Sequence, residues 1–312
     1  VQPTLIFMGT PDFAVPPLEL LHASGFKIPL VVTQPDRPKG RGRGLAAPPV
    51  KEAALRLGCE VCQPPKVRDP EFVAQMKVIA PDFMVVVAFG QILPHSILQI
   101  PKCGSINIHG SLLPKYRGPA PIQWAILRGE RQTGITTMLM DVGIDTGDIL
   151  LQRAIDIRDD ENAEQLRHRL AAMGAEMIVE TLRHLLQGTI LPHAQKHDEA
   201  TYAPMLKKED GRIPWKQSAA RLDALIRAMT PWPGAYCFWG EKRLKIIQAR
   251  AHHDGASQAA PGTVVAGFPD ELRVATGHGI LLIQQIQVDS GKRMPVKDFL
   301  RGHDLVPGSV LI

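Results

Sequence analysis

The apolar positions of the chain fall into two regimes. Over the first two hundred residues, short apolar runs alternate with stretches at helical spacing. Thr4–Met8 runs into Gly9-Thr10-Pro11-Asp12, after which Phe13, Val15, Leu18 and Leu21 recur along one helix face. Pro29–Thr33, Phe83–Phe89, Ser105–His109 and Ile135–Met140 predict further strands, with helices over Val50–Leu57 and Ala120–Leu127. This alternation predicts an α/β domain with a mainly parallel sheet covered on both faces. Glu161–Leu186, apolar near helical spacing and stopped at Gly188, predicts a long amphipathic helix closing it.

From Pro192 to Pro214 the chain is polar and irregular, as a linker would be. A helix is predicted over Ser218–Met229, then Pro231-Trp232-Pro233-Gly234 and a series of short strands: Ala235–Trp239, Leu244–Ala249, Gly262–Val265, Leu272–Thr276 and Ile280–Val288. Their spacing predicts a small β-barrel. A length of 312 residues suits two domains. The expected division is 1–190, a linker over 191–208, and a barrel over 209–312.

Composition adds bounds. With 45% hydrophobic and 21% charged residues, the chain can bury a core and is not driven into disorder. Apolar runs such as Val85–Ala88 fall far short of the roughly 20 residues a bilayer needs, and Val1–Thr10 lacks the basic start and cleavage site of an export signal. Four cysteines are too few for a disulfide framework. The expectation is a soluble, cytoplasmic protein with no membrane partner, monomeric by default. The basic excess lies toward the end: residues 207–312 hold fifteen Lys and Arg against ten Asp and Glu, while the first 206 balance at twenty-one each.

Candidate chemistry begins at Ser105-Ile106-Asn107-Ile108-His109-Gly110, where period-two alternation sends Asn107 and His109 to the same strand face. Taken alone, the pattern also fits a solvated face or a core histidine held by a backbone carbonyl. It is followed by the proline-broken segment Ser111-Leu112-Leu113-Pro114-Lys115-Tyr116-Arg117-Gly118-Pro119-Ala120-Pro121, on the side of an open sheet where ligands bind, beyond the strands' carboxyl ends. Asp141-Val142-Gly143-Ile144-Asp145-Thr146-Gly147-Asp148 sets three carboxylates on a second loop.

Asn107-x-His109-Gly110-Ser111-Leu112-Leu113-Pro114, Gly118-x-x-Pro121 and Asp141-x-Gly143-x-Asp145-Thr146-Gly147 together resemble the folate-dependent formyltransferase family, and the likeness includes Gly9-Thr10-Pro11-Asp12-Phe13 and Pro231-Trp232-Pro233. The resemblance implies a Rossmann-like first domain, an OB-like barrel, and 10-formyltetrahydrofolate as donor. It implies Asn107, His109 and Asp145 as the catalytic set. Ser111, Leu112, Leu113 and Pro114 would line the folate site, with backbone at Gln91, Ile92 and Leu93 and at Val142, Gly143 and Ile144 around the pterin. The roles fit the residue types: an amide and a protonated imidazole can donate to the oxyanion of a tetrahedral intermediate, and a carboxylate can orient the imidazole. Which group takes the amine's proton stays open.

Arg37, Lys39, Arg41 and Arg43 sit in a Gly- and Pro-rich loop suited to phosphates and base edges. In the resembling family such a loop meets initiator methionyl-tRNA, whose amino group is the acceptor; Lys207, Lys208, Lys242, Arg243 and Lys245 are further candidates. Gly40 to Gly44 only imitates a dinucleotide fingerprint, since no such motif follows the first strand. Cys59 and Cys62 lie more than a hundred residues from His193 and His197, so no metal is expected. The competing acceptor is a sugar nucleotide, which gives no reason for an Arg-rich loop.

Overall fold

The computed structural model describes residues 2–39, 44–252, 258–289 and 291–312, at Lys39 the backbone only. The chain divides into two compact units: Val1–Pro121, Thr133–Ile155 and Arg167–Ala203 form one, and Ile122–Gln132, Asp156–Leu166 and Pro204–Ile312 the other.

In chain order the first part runs β1 (Thr4–Gly9), α1 (Val15–Ala23), β2 (Lys27–Val32), β3 (Arg37–Lys39), β4 (Gly44–Ala46), α2 (Pro49–Arg56), β5 (Val61–Cys62), α3 (Pro70–Ile79), β6 (Phe83–Val87), α4 (His95–Leu98), β7 (Ser105–His109), α5 (Pro121–Arg128), β8 (Gln132–Leu139), β9 (Ile149–Asp156) and α6 (Ala163–Gln187). Seven strands form one sheet in the order β5-β2-β1-β6-β7-β8-β9. The neighbours from β5 to β7 are parallel, and β8 is antiparallel to β7. Strand order reverses between β1 and β6, which opens a crevice at their carboxyl ends.

Leu5 to Met8 and Phe83 to Val87 are buried on both sheet faces, which is why these segments read as unbroken apolar runs. Ile6, Met8, Met84 and Val86 share one core with Phe72 and Met76 of α3 and with Phe89. Register pairs Val86 with Asn107, so Ser105, Asn107 and His109 share that face, while Ile106 and Ile108 take the other. On that second face a Cβ at Gly174 of α6 would lie 2.9 Å from Ile108, so glycine lets the helix approach closely. β6 stops two residues before the predicted Phe89: Ala88 turns left-handed (φ 45°), and Phe89 folds back into the core.

The second unit holds α7 (Ala219–Met229), started by Ser218, whose Oγ accepts the Arg221 amide. It also holds β10 (Ala235–Trp239), β11 (Lys242–His252), β12 (Val264–Val265), β13 (Leu272–Ala275), β14 (Ile280–Val288), β15 (Arg293–Pro295) and α8 (Val296–Leu300). The sheet order is β10-β11-β14-β13-β12, with β15 on β14, antiparallel throughout. It forms a half-barrel whose two edges are joined by the last residues: Leu311 bridges Trp239 beside one edge, and Val310 bridges Thr263 beside the other.

Candidate active site

His109 ends β7 and is 6% exposed. Its Nε2 lies 2.9 Å from the Tyr116 carbonyl oxygen, which can only accept, so Nε2 carries a hydrogen and donates. The other ring nitrogen, Nδ1, faces Asp145 Oδ2 at 3.6 Å. The same Oδ2 accepts the Gly118 amide at 2.7 Å. Asn107 Nδ2 donates to the Val86 carbonyl at 3.1 Å, which fixes the orientation of the amide. Asn107 Oδ1 is buried and has no hydrogen-bond partner among the described residues.

Two loops set this geometry. In the first, Ser111 Oγ donates to the Lys115 carbonyl (2.6 Å), and Thr136 Oγ1 donates to the Ser111 carbonyl (2.7 Å) while accepting the Leu113 amide (3.1 Å). Gln152 Nε2 donates to the Leu113 carbonyl at 2.7 Å. Tyr116 is left-handed (φ 61°). Gly118 has φ 113°, and a Cβ there would lie 2.8 Å from the Ala203 carbonyl oxygen, so only glycine brings this amide to Asp145.

In the second loop the Asp141 carboxylate accepts the Gly143 amide (3.0 Å) and the Thr146 hydroxyl (2.7 Å). Asp141 therefore shapes the turn, as aspartates in turns commonly do. A Cβ at Gly147 would fall onto the Leu139 carbonyl. Asp145 itself is left-handed at φ 55°, a conformation unfavourable for a residue with a side chain. Asp148 is exposed.

Of the residues expected at the folate site, Ser111 and Leu113 are buried and Leu112 and Pro114 half-buried. The Gln91 side chain is engaged elsewhere: Oε1 accepts the Val67 amide, and Nε2 donates to the Pro64 carbonyl. Leu93 belongs to the core, whereas Ile92, Val142 and Ile144 leave most of their side chains exposed. Of the basic loop, Arg37 donates to Gln34 Oε1 (3.2 Å) and opens the β3–β4 hairpin in which Lys39 pairs with Gly44; Arg41 and Arg43 lie outside the described residues. In the second unit Lys207 and Lys208 are exposed, and Arg243 stacks over the Tyr236 ring at 3.8 Å. Thr136 and Gln152, like Arg117 and Gln195, hold the two active-site loops although no periodicity or composition signal marks them in the sequence.

The formyl transferase family model matches residues 4–182, and that of the formyl transferase C-terminal domain matches residues 205–304. The methionyl-tRNA formyltransferase of Citrifermentans bemidjiense is 48% identical over 307 residues, covering 98% of this chain and 96% of its own. That of Geobacter metallireducens is 51% identical over 305 residues, covering 98% and 97%. Among solved structures, the N-formyltransferase from Helicobacter canadensis in complex with folinic acid and dTDP-3-aminofucose superposes with TM-score 0.68 at 19% identity, over 94% of this chain and all of that one. WlaRD, a sugar 3N-formyl transferase, superposes with TM-score 0.67 at 20% identity, over 91% and 97%. Those two likenesses establish the fold alone.

Proposed function

The chain belongs to the methionyl-tRNA formyltransferase family, and from that premise we propose how its residues carry the reaction. The enzyme transfers the formyl group of 10-formyltetrahydrofolate to the amino group of methionyl-tRNA, giving N-formylmethionyl-tRNA for initiation. The observation that carries this reading is identity near one half along the whole chain, barrel included, to proteins of that activity.

The attacking amine adds to the formyl carbon, the carbonyl becomes an oxyanion, the bond to N10 of the folate breaks, and one proton passes from the amine to N10. With His109 Nε2 held by a carbonyl, Nδ1 is the ring atom proposed to exchange protons or support the oxyanion, oriented by Asp145. The unpartnered Asn107 Oδ1 suits an N–H of the incoming amine, and its second Nδ2 hydrogen suits the oxyanion. Both functions fit one carboxamide without a flip.

Ser111 to Pro114, with the backbone at 91–93 and 142–144, is proposed to seat the folate. Arg37, Lys39, Arg41 and Arg43, with the basic strand residues of the half-barrel, are proposed to hold initiator tRNA. The proposed division of labour places folate binding, catalysis and the first tRNA contact in residues 1–190 and a second tRNA contact in 209–312, joined by 191–208. No helix among the described residues is long and apolar enough to cross a membrane; action as a cytoplasmic monomer is part of the proposal. The test offers the chain labelled 10-formyltetrahydrofolate with methionyl-tRNA or an amino-sugar nucleotide. Label on methionine alone supports the reading; label on the sugar alone overturns it.

A further inference from the structure

We infer that Gln195 is a positioning residue for the reaction, a clamp that holds the backbone of Asp145 in its left-handed conformation and locks the two active-site loops together. The inference rests on the catalytic role proposed for Asp145. Gln195 is 5% exposed and all of its hydrogen-bonding capacity points at the two loops. Nε2 donates to the carbonyl oxygens of Asp145 (2.9 Å) and Gly147 (2.7 Å). Oε1 accepts from Nε (3.1 Å) and Nη2 (2.7 Å) of Arg117. Carbonyls only accept and a guanidinium only donates, so the amide has a single orientation.

Arg117 is 2% exposed, and no carboxylate pairs with it among the described residues. Its charge is met by Gln195 and by His197, whose Nδ1 lies 3.0 Å from Nη2 and accepts. The residues on either side of Arg117 touch the proposed catalytic pair: the Tyr116 carbonyl holds His109 Nε2, and the Gly118 amide holds Asp145 Oδ2. Gln195 therefore grips Asp145 from behind, through its carbonyl, and from in front, through the Arg117 segment.

The segment carrying Gln195 is itself fastened to the same loops. His193 exchanges two backbone hydrogen bonds with Ile149 (2.8 Å each); Arg117 donates to the Thr201 carbonyl (2.8 Å), and Ala203 donates to that of Arg117 (2.7 Å). Tyr116 also donates to Thr201 Oγ1. These backbone bonds do not depend on the Gln195 side chain, and Gln195→Glu, which keeps acceptors for the buried Arg117 charge, is the variant expected to retain the fold where Gln195→Met loses stability.

The test is a double-mutant cycle in the full chain. Gln195→Met keeps length and removes every polar contact; Gln195→Glu keeps two acceptors for Arg117 and sets a carboxylate against the Asp145 and Gly147 carbonyls. Misplacing a catalytic group costs up to about a hundredfold, so each variant is expected to lower kcat by about tenfold to a hundredfold with KM for both substrates nearly unchanged. In an Asp145→Ala background the same changes should cost less than about twofold, because residues acting through one group are not additive. Equal losses in both backgrounds, or unaltered kcat in either Gln195 variant, would overturn the inference. Hydrogen exchange at the Gly118 amide gives a readout independent of turnover: its protection should fall in both variants, and full protection contradicts the clamp. Absent formylation by the unaltered chain would instead count against the function, leaving the exchange result to decide on Gln195.

Discussion

Nδ1 of His109 stands 3.6 Å from Oδ2 of Asp145, and the other nitrogen of the same ring is tied to the Tyr116 carbonyl. One nitrogen is thus fixed as an anchor, and the other is the atom proposed for the chemistry. His109→Ala removes the latter and should lower kcat by on the order of a hundredfold or more, the usual cost of losing an oxyanion donor. Folate binding, followed by fluorescence titration, should survive. Unchanged turnover would refute the assignment.

Asp145 faces that ring, which it is proposed to orient, and receives the Gly118 amide on the same oxygen. Asp145→Asn keeps the shape and replaces a charge-assisted acceptor by a neutral one. The expected outcome is a fall in kcat of at least about tenfold with KM for the folate little changed; a loss confined to KM would assign the residue to binding.

Gly147 tests the loop that carries Asp145. A methyl group there meets the Leu139 carbonyl, with backbone on both sides of the clash. Gly147→Ala should lower the melting temperature and the activity together. A fully active, equally stable variant would show that the loop has another way to close.

The two arginines beyond the described residues are addressed by salt dependence. Arg41→Ala with Arg43→Ala should weaken use of tRNA, and the slope of log affinity against log salt should become shallower by about one for each phosphate no longer neutralised. Folate affinity should not move. An unchanged salt slope would remove the loop from the tRNA interface.

Asp82 offers a pH test of the fold. Its carboxylate accepts the Thr4 amide at the start of β1 and pairs with Lys102, and these interactions, the amide first, hold its pKa below the ordinary carboxylate value. A depressed folded pKa gives stability that is present above the unfolded value, near 3.9, and lost as pH falls through the folded one. Asp82→Asn should therefore melt lower than the unaltered chain at neutral pH, with the gap closing on acidification below that range. A gap independent of pH would mean that the hydrogen bond, not the charge, does the stabilising.

How much of this was legible in the sequence differs by element. β1 and β6 are read easily because strands buried on both faces are apolar at every position. Asn107 and His109 fall on one face by period two alone. β9 is hard to read because its outer half is exposed and lacks alternation, and α3 because its face, Phe72, Val73, Met76 and Ile79, follows a proline-rich turn that reads as loop. Asp145 was separable from Asp141 only through the family resemblance; the structure adds that Asp141 is engaged within its own turn. Gln195 could not be found at all. Its partners are 78 and 50 residues away in sequence, and a single polar residue in an irregular segment has no period to betray it.

The most direct test of the central reading is formyl transfer from 10-formyltetrahydrofolate at one fixed salt concentration, with initiator and elongator methionyl-tRNA compared side by side. Rapid formylation of the initiator and much slower formylation of the elongator are expected. Formylation of neither, by a chain that still binds the folate, would contradict that reading.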